Sequence, residues 1–318
     1  MIEHILDSLR NCNYDSALDS YLELFNQHPE QFQIGSDSAL KGINTHLSNA
    51  SNLARKKGFD SVEQARMGSP RLASGIDSIF GLVTKSFEHS HQQPTFFYVP
   101  ELPSSGFFEV DQIPKLDDFL EGLKCFMPDL LTLIDKRKQN YIDMMGQVPD
   151  TAGWQNLRNG NWLSQHLIKS HGEDKCTISG LAEYFENASV VADCPPHAPE
   201  AFISYLLPGA KIPSHFGLSN VKLTVHVPLQ VNSKCNIKVG KETKNWVSPP
   251  QKVIIFDDSF EHSAENLGEK MRSVLIFDIW NPHLSDREKT AIRLFMKLYN
   301  EWSTTYGVLA SLDKHLHV

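Results

Sequence analysis

No stretch of about 18 consecutive apolar residues runs through this sequence, and a helix needs that many to cross a bilayer, so no membrane span is expected. There is no block of lysine and arginine either. Thirty basic residues stand against 38 acidic ones, for a formal net charge of −8. Binding to a phosphate backbone runs on counterion release by basic patches, so a nucleic-acid partner is not expected. Cysteine is sparse: Cys12, Cys125, Cys176, Cys194 and Cys235 are an odd five with no Cys-x-x-Cys spacing, which argues against a disulfide framework or a zinc ribbon. The start, Met1-Ile2-Glu3-His4-Ile5-Leu6-Asp7, lacks the basic opening and apolar centre of a secretory leader. A cytoplasmic location follows as the expectation.

What is present reads as a folded globular chain. Apolar residues make up 41% and charged residues 21% of 318, enough for one large domain or two modest ones. Histidine is plentiful, at 14, and two histidines organise the rest. His215-Phe216-Gly217-Leu218-Ser219-Asn220 leads into a strand, and Phe256-Asp257-Asp258-Ser259-Phe260-Glu261-His262 answers it later in the chain. Neutral imidazole suits Fe(II), Zn(II) or Cu(II), and two His on neighbouring strands leave coordination positions open for substrate and oxygen.

Strand periodicity supplies the setting. From Val221 to Val227 apolar and polar residues alternate, which puts Lys222, Thr224 and His226 on one face and Val221, Leu223, Val225 and Val227 on the other. The polar face is either a solvated sheet surface or the wall of a cavity beside a metal. Arg272 opens the apolar run Ser273 to Trp280, which reads as a buried central strand. An arginine there is a structural ion pair or snorkelling side chain, or else a clamp that grips a carboxylate through two parallel hydrogen bonds.

Pro208-Gly209, His215 to Asn220, His226, Phe256 to His262, Arg272 and Asp278-Ile279-Trp280 with Pro282 recur in the order and spacing of a known family. From about Pro94 to the helix after Ser285 the chain resembles the aspartyl/asparaginyl β-hydroxylases. The resemblance implies an Fe(II)- and 2-oxoglutarate-dependent oxygenase on a double-stranded β-helix of the jelly-roll, cupin-like kind, in an α+β chain. It implies iron held by His215 and His262 alone, with Gly217 where related oxygenases carry a carboxylate. Iron's two positive charges and the two negative charges of 2-oxoglutarate then cancel without a protein carboxylate. Ser204, His226 and Arg272 are implied to hold 2-oxoglutarate, with Arg272 on its distal carboxylate, and Lys222 to meet the substrate's carboxylate. The implied reaction consumes O2, converts 2-oxoglutarate to succinate and carbon dioxide, and hydroxylates an unactivated carbon. The expected target is the β-carbon of an Asp- or Asn-type residue in a peptide or protein, with a free or carrier-bound amino acid or another small molecule as the alternative.

Two positions depart from the family. Its strand reads basic-x-basic-x-His, whereas Lys222-Leu223-Thr224-Val225-His226 lacks the second basic residue, and Asn281 stands where a His precedes the proline. Three other readings stay open. A hydrolytic zinc enzyme would use the same two His with a carboxylate; a non-catalytic binding module would have lost cosubstrate affinity through Thr224; and Asp258 would serve as a third ligand in a rival metal site. Asp257, Asp258 and Glu261 otherwise read as groups that cap or orient. Relatives in oxidising compartments carry a disulfide near Cys176 and Cys194, so these two are the candidate pair.

The remaining chain divides into a helical region, 1–93, and the oxygenase domain, 94–318. Ile2 to Arg10 and the segment from Asn13 through Leu24 resemble one tetratricopeptide hairpin, which must pack on further helices such as Ser38 to Lys57 and Ser61 to Phe87. Such helices either only scaffold or help present protein substrates. His89 to Pro94 reads as a linker. Leu116 to Arg137 reads as a helix kinked or split at Pro128, and residues 146–200 as loops around a pocket. Trp162 is expected in the core, and His166, His171 and His197 at the surface. Ser285 with Glu288 forms a capping box for a helix expected to close the barrel's end, and the tail with His315 and His317 is expected to fray.

Overall fold

A computed structural model describes residues 1–33, 42–135, 142–143, 154, 157, 160–168, 178–192, 200–246 and 253–312. Cys176, Cys194, His171, His197, His315 and His317 lie outside the described residues. Among those described, the chain opens with helices α1 (Ile2–Arg10), α2 (Tyr14–Gln27), α3 (Ile43–Ser61), α4 (Glu63–Arg66) and α5 (Pro70–Ile79). α1 and α2 form the expected hairpin. Asn13 caps α2 by accepting from the Ser16 N–H, and the pair buries Ile5, Leu18, Tyr21 and Leu24 on their shared face. The single helix expected from Ser61 to Phe87 is two, α4 and α5, with Ser69 capping α5 and Pro70 at its first position, and α5 stops at Ile79, where Gly81 takes φ +74°, the left-handed turn that ends a helix.

The polar stretch expected as a linker is partly built into the barrel. Gln92 is fully buried and donates to Asp257 Oδ2 (3.1 Å) and Ser259 Oγ (3.0 Å). Beyond it come α6 (Leu116–Leu123) and α7 (Met127–Asp135), split as expected, with Pro128 in the first turn of α7 where its missing N–H costs nothing. α8 (Leu181–Glu186) packs beside α6 over the outer face of the larger sheet.

The strands are β1 (Phe107–Phe108), β2 (Ile142–Asp143), β3 (Trp162–Ile168), β4 (Ala201–Leu206), β5 (Lys211–His215), β6 (Lys222–Gln230), β7 (Cys235–Val239), β8 (Glu242–Asn245), β9 (Ile254–Phe256), β10 (His262–Asn266) and β11 (Arg272–Trp280). They form two antiparallel sheets, one ordered β1-β9-β6-β11-β4-β3-β2 and the other β5-β10-β7-β8. The sheets face each other across a cavity in a cupin-like, jelly-roll α+β arrangement. β11 lies in the middle of the larger sheet, as its apolar run predicts. Leu223, Val225, Leu275 and Phe277 point outward into a core closed by Phe119 and Phe185 of the helices. The alternate residues of the same strands are left facing inward.

The last helix, α9 (Asp286–Ala310), starts at Ser285 with both halves of the capping box formed. It does more than close the barrel. Ile292, Phe295, Met296 and Trp302 pack into one core with Leu47, Ala50 and Ala54 of α3, and Trp302 Nε1 donates to the Ala54 carbonyl (2.8 Å). Its apolar positions are too many for a single contact and need the N-terminal helices as a second partner. At the barrel side, Arg293 lies over the Trp280 ring at 5.1 Å. Among the described residues no helix is long and apolar enough to cross a membrane.

Candidate active site

Antiparallel register brings the two histidines together. His215 ends β5, His262 begins β10, and they are direct partners, with ring centroids 4.0 Å apart. The pairing shifts by one residue just beyond them, where Pro213, which has no N–H to offer a neighbour, sits in β5; such an irregularity re-aims the adjacent side chain. Each ring is oriented by the carbonyl two residues before it: His215 Nδ1 donates to Pro213 O and His262 Nδ1 to Phe260 O, both at 2.8 Å. A carbonyl only accepts, so each Nδ1 carries the proton and each Nε2 keeps a lone pair. Burial, then the neighbouring His215, pushes the His262 pKa down to about 3, and burial lowers that of His215. Both rings are thus held in the neutral form that ligates a metal.

Opposite them, the inner face of the larger sheet carries Ser204 of β4, Lys222, Thr224 and His226 of β6, and Arg272, Ile276 and Asp278 of β11. The cavity between the sheets holds about 290 Å³, near the lower end of the range of roughly 300–1,000 Å³ for small-molecule sites. Arg272 is buried at its floor. Its Nη1 donates to Ser204 Oγ at 3.4 Å, its guanidinium lies 5.3 Å over the Trp246 ring, and its Nε meets no partner. Among the described residues no carboxylate neutralises it, and burial draws its pKa down to about 10. His226 stacks on Trp246 with centroids 5.9 Å apart, its Nδ1 also without a partner, and burial holds it far below its ordinary pKa.

At the other end of the cavity Asp278 accepts from Lys222 Nζ through Oδ2 and from Thr224 Oγ1 through Oδ1 (2.9 Å). Close by, the Asp258 carboxyl lies against Gly217, where a Cβ at residue 217 would overlap it. Gly217 is therefore required by space. Asp258 Oδ1 is covered and unpartnered, and burial raises the pKa of this carboxyl to about 8. Among the described residues no three His, Cys, Asp or Glu side chains form a group that could hold a metal ion. A larger groove of about 790 Å³ between α3, α5 and α9 carries none of the expected site residues.

Compared with known families, residues 134–282 match the model for aspartyl/asparaginyl β-hydroxylase, a span that holds Ser204, His215, Lys222, His226, His262 and Arg272. Over this stretch, just under half of the chain, the sequence is similar to the aspartyl/asparaginyl β-hydroxylases. Aspartate β-hydroxylase domain-containing protein 2 of Xenopus tropicalis is 25% identical over 64% of this chain and 54% of its own length. Aspartate β-hydroxylase domain-containing protein 1 of Mus musculus is 27% identical over 74% and 62%. Human aspartyl/asparaginyl β-hydroxylase is 34% identical over 28% of this chain and 12% of its own. The chain thus spans about half the length of the first of these relatives. Among solved structures, the Cnp3 cupin domain of Schizosaccharomyces pombe overlaps 38% of this chain and 65% of its own at 15% identity, with a TM-score of only 0.25.

All six residues singled out from the sequence line the one cavity, and Lys222 is already engaged by Asp278. Two expectations fail. Trp162 is not a core aromatic: it lines the cavity and donates from Nε1 to Ser204 Oγ (3.1 Å), because the indole N–H needs an acceptor. His166 is not a surface residue but stacks on Phe202 and pairs with Glu200 at 3.0 Å. Reading of the sequence quoted Asp278 in the family motif without giving it a role, placed Trp154 only among the pocket loops, and missed Trp246. Trp154, packed edge-on against His215 at 5.2 Å, and Trp246 carry no signal in their neighbours. Asp278 carries one, since a period of two from Arg272 puts it on the same face.

Proposed function

We propose that this chain is an Fe(II)- and 2-oxoglutarate-dependent hydroxylase acting on an unactivated carbon, most simply the β-carbon of an Asp- or Asn-type residue in a peptide or protein. The observation that carries this reading is a buried guanidinium with no carboxylate partner among the described residues, facing two neutral imidazoles across one small cavity. An uncompensated buried charge is costly unless a ligand of opposite sign meets it. His215 and His262 offer Nε2 lone pairs and would hold the metal. Bound iron would supply oxygen activation coupled to loss of carbon dioxide from 2-oxoglutarate. Arg272 and Ser204 would take the distal carboxylate of the keto acid, with His226 donating beside them. Trp154, Trp162 and Trp246 would exclude water and fix the rings they touch.

The division into a helical part, 1–93, and an oxygenase part, 94–318, goes with this reading, the α1–α2 hairpin being tetratricopeptide-like. A cytoplasmic setting fits the unbonded thiols of Cys12, Cys125 and Cys235. Incubating the protein with Fe(II), 2-oxoglutarate and a cell extract should yield a species heavier by one oxygen that is absent with His215→Ala. An oxygen gain that persists in that variant would refute the assignment. One observation favours a second reading, a non-catalytic binding module: Thr224 stands where a second base would help Arg272, and its hydroxyl is spent on Asp278. Failure of millimolar 2-oxoglutarate to raise the Tm would decide for it.

A further inference from the structure

The end of the cavity away from Arg272 joins Lys222 and Asp278, which stand at positions of the family motif, to Thr224, which departs from it. Lys222 and Thr224 lie two residues apart on the inner face of β6, and Asp278 of β11 is the direct register partner of Thr224. Both oxygens of Asp278 are occupied, one by the Lys222 ammonium and one by the Thr224 hydroxyl. Lys222 therefore presents a charge that is already neutralised, in a half-buried setting where both partners keep some access to the cavity. Two further acidic side chains line the cavity: Asp258, whose Oδ1 is unpartnered, and Glu200, which is turned toward His166.

A substrate carboxylate arriving here would compete with Asp278 for Lys222, and the two like charges would repel in a closed site. A cationic side chain would meet Lys222. An uncharged group with one acceptor and one donor fits both halves, its carbonyl oxygen accepting from Lys222 and its N–H donating to the carboxyl side. A site built for paired hydrogen bonds rejects an analogue that leaves one of them unmet.

Resting on the hydroxylase reading above, we propose that Asp278, held between Lys222 and Thr224, turns the substrate end of this cavity into a zwitterionic site that selects a carboxamide side chain over a carboxylate. The test is equilibrium binding of three matched pentapeptides, alike except for a central Asn, Asp or Lys, to anaerobic Fe(II)-loaded protein with 2-oxoglutarate. The Asn peptide should bind about tenfold tighter than the Asp peptide. Asp278→Asn, which frees the charge of Lys222, should reverse that order, and Thr224→Val, which removes only the second restraint, should narrow it. If Asp278→Asn does not fold, the wild-type order and Thr224→Val still decide. The proposal is overturned by an Asp peptide that binds as well as the Asn peptide, by a Lys peptide that binds best, or by binding of none of the three. Binding of 2-oxoglutarate, read in the same preparation, separates the two claims: bound keto acid without an Asn preference sinks this inference alone, and absent keto-acid binding sinks the reading beneath it.

Discussion

Arg71 in the helical layer is partly withdrawn from water and Arg272 in the barrel fully so, and their surroundings treat them in opposite ways. Arg71 forks onto Glu288 through Nε (2.7 Å) and Nη2 (2.9 Å) and also reaches the carbonyls of Glu101 and His283. Glu288 in turn accepts from Ser69 and from the backbone and hydroxyl of Ser285. The hydrogen bonds from Arg71 come first among the causes that hold the Glu288 pKa down to about 2. Arg272 has one long hydrogen bond and an aromatic face. A charge whose partners are complete ties α5 to α9, whereas the charge left incomplete is the one that the proposed function pairs with an anion.

Replacing Arg272 by leucine should break the comparison most visibly. Removal of one partner of a buried charge pair costs several kcal/mol, so 2-oxoglutarate should bind on the order of a thousandfold more weakly by calorimetry. The Tm without ligand should hold or rise, because an uncompensated buried charge is exchanged for an apolar group. Glu288→Gln should do the reverse, lowering stability by about 3 kcal/mol in denaturant melts while leaving 2-oxoglutarate binding intact.

A pH series sharpens the same contrast. A carboxylate whose folded pKa is depressed stabilises fully above its ordinary value, here 4.5, and loses that contribution as pH falls toward about 2. Wild type should therefore lose stability over that window more steeply than Glu288→Gln. The smallest effect should come from Gly217→Ala, where the new methyl meets the Asp258 carboxyl, for a loss of about 2 kcal/mol. Much of that loss should return in the double variant Gly217→Ala with Asp258→Ala, because the two sites share the same space.

How much of this was legible in the sequence follows from where each contact arises. Alternation along β6 was enough to put Lys222, Thr224 and His226 on one face, but it left open whether water or a cavity lay beyond, since that depends on the smaller sheet standing opposite. Capping residues marked the start of α9, but not its packing against α3, which joins segments from the two ends of the chain. The meeting of His215 and His262 was accessible only through family resemblance, because it depends on a strand register that no local pattern encodes. Trp246 was invisible for the same reason: its ring reaches Arg272 and His226 only once β8 and β6 lie in facing sheets. Asp278 was named in the motif but given no role, because the run around it is so apolar that both faces of the strand read as core.

The most direct measurement of the central claim is an anaerobic titration of 2-oxoglutarate into Fe(II)-loaded protein, followed by the visible charge-transfer absorption of a chelated 2-oxo acid. The account predicts a band that saturates at one equivalent, is abolished in His262→Ala, and needs far more 2-oxoglutarate to develop in Arg272→Leu. Absence of the band in the wild type, or its undiminished survival in both variants, would contradict it.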